Sequence, residues 1–146
     1  MIIWSKFFPG RNRLWIVMAA ILMAAFLMAA GSVAPLEASP TEVVKVVFRN
    51  AGGSWHVSVT LRHADAGWEH YANLWVVETL AGAELGRRVL FHPHDNEQPF
   101  TRSETVRIPP EMQKVRIRAG DNVNGLNSNV VKVELTRGKG DRFEVR

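Results

Sequence analysis

The stretch "WHVSVTLR", residues 55–62, decides how this chain is read. Trp55, Val57, Val59 and Leu61 alternate with His56, Ser58, Thr60 and Arg62. A period of two puts the first set on one face of a strand and the second on the other. Comparable runs lie on either side. "EVVKVVFR" (42–49) precedes it, and "NLWVVETL" (73–80), "LGRRVLFH" (85–92), "RSETVRI" (102–108), "KVRIRA" (114–119) and "NVVKVEL" (129–135) follow. Each is short and rich in β-branched residues, and glycine- or proline-bearing turns separate most of them. The pattern predicts an all-β fold: a seven-stranded antiparallel sandwich of immunoglobulin-like or fibronectin-III-like type, spanning residues 41–136. Its expected core is Val44, Val46, Trp55, Val57, Val59, Leu61, Val115, Ile117 and Val133. The tail "RGKGDRFEVR" (137–146) is polar and glycine-bearing, and is expected to fray.

Residues 1–38 read differently. Lys6, Arg11 and Arg13 form a positive flank, no charge occurs from Leu14 to Leu36, and small residues follow at Ala29, Ala30, Gly31, Ala34 and Ala38. This is the pattern of a signal peptide, or of an N-terminal membrane anchor if the segment is retained. Either way the domain is expected outside the cytoplasmic membrane, in the periplasm or on the outer face of that membrane. The chain has no cysteine, which excludes a disulfide scaffold, a thiolate metal site and a lipid-bearing cysteine within it. The net charge of +4 falls to +2 once the three basic residues and one acid of 1–38 are set aside. That is too small an excess for a nucleic-acid-binding domain.

In a seven-stranded sandwich alternate loops share a pole. One set is "NAGGS", "AGAE" and "PPEMQ", plain turns explained by their Gly or Pro. The other set is "HADAGWEHYA" (63–72), "HPHDNEQPFT" (92–101) and "GDNVNGLNSN" (120–129), long and chemically crowded. The topology therefore gathers His63, Asp65, Glu69 and His70 with His92, His94, Asp95 and Glu97, and Asp121 and Asn124 join from the third loop. Four of the five histidines meet there, His56 being the exception. Imidazole ligates Zn(II) and Cu(II), and carboxylates can complete the shell. The candidate metal ligands are His92, His94, His63, His70, Glu97 and Asp65. Histidines in a loop can equally hydrogen-bond neighbouring backbone, and an HxH pair alone is a weak motif; the second cluster strengthens it.

Met112, the one methionine outside residues 1–38, lies in a plain turn, which argues against a thioether copper site. "DNVNG" resembles the start of a calcium loop, but its spacing breaks the pattern and a hairpin turn explains it better. Trp55 and Trp75 read as core. Trp68, Tyr71 and Phe100 are candidates for contacting a partner, although Trp68 and Tyr71 can equally plug the end of the sandwich. Arg107, Arg116, Arg118 and Lys132 read as a solvated basic face.

The segments "RHADAGWEHYANLWVV" and "RVLFHPHDNEQPFTRS" resemble those of a family of small exported bacterial proteins with no assigned activity. The resemblance covers mainly residues 62–102. It implies a sandwich domain and an export signal, and carries no catalytic role. Two functions follow from the residues. The first is an exported copper- or zinc-binding accessory or carrier protein using the crowded pole. The second is a non-enzymatic module that holds another envelope protein with the same loops. An enzyme has less support, because GxSxG, HExxH and a cysteine nucleophile are all absent. A His/carboxylate pair for acid–base work could still be drawn from His63, His70, Asp65 and Glu69.

Overall fold

The computed structural model describes residues 39–146. The signal or anchor reading falls on residues 1–38, outside that range. Among the described residues no helix is long and apolar enough to cross a membrane. The chain runs through β1 (Glu42–Asn50), β2 (Trp55–Arg62), β3 (Ala72–Glu78), β4 (Glu84–Val89), β5 (Phe100–Val106), β6 (Lys114–Asp121), β7 (Gly125–Glu134), β8 (Lys139–Gly140) and β9 (Phe143–Val145). Two sheets result, one in the order β5-β2-β1-β9-β8 and the other β4-β3-β6-β7.

Alternation in β2 delivers Val57, Val59 and Leu61 to the core, where they meet Phe48 and Val46 of β1 and Phe100 of β5. The second sheet adds Trp75, Val77, Val115, Ile117, Ala119, Val131 and Val133. Removing these apolar faces from water is what holds the two sheets together. Trp55 is only partly buried, packed edge-on against Phe48 with ring centroids 5.9 Å apart. In β1 the inward residue is Val43 rather than Val44. The register against β2 shifts between Val43 and Lys45, so one extra residue is accommodated and the inward phase slips by one.

Among the described residues there are nine strands rather than seven, and the tail is part of the sheet. β9 pairs with β1 in parallel, Val46 opposite Phe143, so the fold is not wholly antiparallel. The Arg146 amide donates to the Phe48 carbonyl at 2.8 Å. Phe143 is buried against the core cluster. The polar composition of 137–146 hides this anchor, to which the partly buried Val145 adds. β9 also covers an edge of β1 that would otherwise present open backbone groups. Phe143→Ala should therefore cost about 3 kcal/mol of stability, as for other buried phenylalanines. Urea unfolding measures it, and a shift indistinguishable from a surface substitution would mean that the tail is only loosely docked.

Candidate metal centre

The crowded end of the sandwich is built where β2 ends, β3 begins, β6 turns into β7 and the β4–β5 loop crosses over. Three short-range devices hold it. Asp65 is the first. Its Oδ1 accepts from His63 Nδ1 at 2.6 Å and from the Ala72 amide at 3.0 Å, and its Oδ2 accepts from the His94 amide at 2.6 Å. One buried carboxylate thus joins two loops to the start of β3. Gln98 is the second: its Oε1 accepts from the His63 amide at 3.1 Å and its Nε2 donates to the His94 carbonyl at 3.3 Å. Asn122 is the third. Its Oδ1 accepts from the Tyr71 amide at 2.8 Å, and its Nδ2 donates to the Trp68 carbonyl at 3.2 Å.

Within this frame His63, His70 and Asp121 converge. Each offers one ligand atom, and the three atoms lie within 4.8 Å of one another. His63 Nδ1 must carry the proton that Asp65 accepts, so the lone pair is on Nε2, which is buried and has no partner. His70 Nε2 is 3.1 Å from Asp121 Oδ1, yet the pair is not aligned as a hydrogen bond and that nitrogen is also without a partner. Two imidazole nitrogens and a carboxylate oxygen aimed at one small volume is the arrangement metal ligands adopt. The two rings stand edge to face, centroids 4.7 Å apart.

Asp121 is held as firmly as Asp65. Its Oδ1 accepts from the Asn124 amide at 2.7 Å, the Val123 amide at 2.9 Å and Asn124 Nδ2 at 3.1 Å. Burial pushes this carboxyl upward, but those hydrogen bonds and the neighbouring His70 outweigh it and hold it below its ordinary value. It is therefore an anion at neutral pH. The turn beneath it depends on glycine. Gly125 has φ 71°, and a Cβ on Gly120 would run into the Gly125 carbonyl.

The other candidates are placed as follows. Asp65 sits behind His63 and fixes its tautomer and direction, the part a carboxylate plays behind a metal-bound histidine. Glu97 is at the surface, where Arg102 Nη2 pairs with its Oε2 at 2.9 Å. His92 is exposed, its ring 4.6 Å from that of His94. The His94 side chain is 2% exposed and stacks on Phe100 with centroids 3.8 Å apart, and neither ring nitrogen has a partner. Phe100, a candidate partner contact by sequence, is buried as the first residue of β5, opposite Leu61. Trp68 is 67% exposed and touches Tyr71 edge to face. The sequence places Asp121 at this pole but not among the candidate ligands. Its second role shows once β6 brings it beside His70.

His94 makes the domain's stability depend on pH. Burial, then the charges of Arg102 and His92, hold its imidazole below the ordinary 6.5. The folded protein keeps the ring neutral where the unfolded chain already binds a proton. The contribution is thus complete above 6.5 and is lost as pH falls from there through the lowered folded value. In metal-free buffer, urea midpoints measured across that range should fall with pH for the wild type and fall less for His94→Phe. Equal slopes would show that His94 titrates as it does in the unfolded chain.

No protein-family model matches this chain. Among curated proteins it is 42% identical, over 104 residues, to one named "Putative lipoprotein" from Halomicrobium mukohataei. The match takes in 70% of this chain and 51% of the relative, so the chain spans about half the relative's length. Among solved structures it is similar to a superoxide reductase (1Fe-SOR) from Giardia intestinalis. That match is 18% identical, covers 64% of this chain and 99% of the other, and has a TM-score of 0.41. At that score the likeness carries no argument about the site.

Proposed function

We propose that this chain is a metal-binding accessory or carrier protein of the cell envelope, with His63, His70 and Asp121 as its ligands and Zn(II) or Cu(II) as its ion. The observation that carries the reading is that His63, His70 and Asp121 bring ligand atoms within 4.8 Å of one another while His63 Nε2 and His70 Nε2 are buried without partners. Burying such atoms without partners is costly, and a metal ion would satisfy both at once. Two imidazoles and one carboxylate suit either ion, and three protein ligands leave a fourth position for water or an incoming donor. An open position suits a carrier, because a recipient's ligand can bind before the carrier's own ligands let go.

The envelope location rests on the residue 1–38 pattern and agrees with the relative's name. The scaffold is read as immunoglobulin- or fibronectin-III-like on its strand order, with β8 and β9 added at one edge.

The test is a count. The full chain without a histidine tag, dialysed against zinc or Cu(II) and then buffer, should retain one ion per molecule, and His70→Ala and Asp121→Ala should retain almost none. Wild-type protein that retains no metal would end this reading. Exposed Trp68 and Val123 from two of the crowded loops, with Phe91 at the edge of the other, favour the second reading, a partner-holding surface at the same pole.

A further inference from the structure

We propose that His92 and His94 form a second, weaker metal site through which the ion reaches the buried centre. The inference rests on the reading of His63, His70 and Asp121 as ligands. His94 carries it. Phe100 stacks on one face of its ring, and its backbone is fixed by Asp65, which accepts its amide proton, and by Gln98, which donates to its carbonyl. A histidine positioned this firmly for structural reasons ordinarily spends a ring nitrogen on a hydrogen bond. Here both nitrogens are buried and unspent.

The neighbours of His94 give that spare capacity a direction. On one side is His92, exposed to solvent, with ring centroids 4.6 Å apart. Two imidazoles at that separation can share one ion, since ligand nitrogens on a tetrahedral metal lie roughly 3.3 Å apart given Zn–N bonds of about 2.0–2.1 Å. Two ligands bind weakly, as a transfer station requires. On the other side is Asp65, whose Oδ2 is 4.0 Å from His94 Nδ1 and whose Oδ1 holds His63. The side chains of His63 and Asp121 are nearly sealed from solvent. Asp65 thus ties the His92–His94 pair and the His63 of the buried centre to one shared carboxylate, which sets the two sites side by side. Passage between them is ligand exchange: neutral imidazoles bind and release the ion in turn, and no electron or covalent bond is transferred.

Co(II) is the probe, because its visible absorption reports coordination. Titrating the full chain should reveal one tight equivalent and one weaker. His92→Ala, at an exposed position, should keep the tight equivalent, lose the weak one and load several-fold more slowly in stopped flow. His94→Phe should behave alike, and His56→Ala like the wild type. A His92→Ala protein that loads at the wild-type rate, or keeps the weak equivalent, would overturn the inference while leaving the buried centre standing. Wild-type protein that binds no Co(II) at all would overturn both.

Discussion

Zinc at about a hundred times its Kd should raise the Tm of this protein by roughly 10 °C or more. A ligand bound only by the folded state at that excess adds about 2.7 kcal/mol. For a domain near 100 residues each kcal/mol moves Tm by about 4 °C or more. The metal-free protein starts at a disadvantage, because His63 Nε2 and His70 Nε2 are buried without partners. His70→Ala and Asp121→Ala should abolish the rise, since each removes one of only three ligands. His56→Ala should preserve it, because His56 lies in β2 and faces Arg49 and Thr105 on the neighbouring strands. The rise should shrink toward about pH 5, where protonated imidazole has no lone pair to give. A Tm that ignores zinc and Cu(II) alike would leave the crowded pole as a hydrogen-bonded or partner-binding surface.

Asp65→Ala should be among the most damaging single changes in the domain, at about 3–5 kcal/mol. The carboxylate is fully buried and accepts three hydrogen bonds, from His63, Ala72 and His94. Its loss strands three donors, and each buried orphan costs about 1–3 kcal/mol before any relaxation. Asp65→Asn should be milder in stability, because one oxygen remains. It should still lower zinc affinity by about 10–100-fold, since the group that orients the metal-facing histidine has been weakened. Urea unfolding and zinc titration on the two variants separate these effects. An Asp65→Ala protein less than about 1 kcal/mol below wild type would mean that Asp65 does not join the loops as described.

How much of this was legible in the sequence depends on how local each signal is. The period of two in 55–62 is carried by adjacent residues, and β2 spans those residues. The phase of β1 was not legible, because the extra residue at Val43–Lys45 answers to the register of β2 and not to β1's own pattern. Phe143 and Val145 gave two apolar residues among charges and glycines, too little to announce β9. Phe100 follows Pro99 and reads as loop, yet β5 starts there because Leu61 across the sheet offers it a partner. At the site, the meeting of His63 and His70 with the third loop follows from strand order. Asp121 was placed at the pole but not among the ligands, because the side chain that caps the Val123 and Asn124 amides also faces His70. Glu97 looked like a ligand by proximity in sequence, but Arg102 holds it at the surface.

The most direct test of the central claim is anomalous diffraction at the zinc edge from crystals grown with excess zinc. The account expects a peak about 2.0–2.2 Å from His63 Nε2, His70 Nε2 and an oxygen of Asp121. A zinc peak at His92 and His94 alone, or none on the protein, would contradict it.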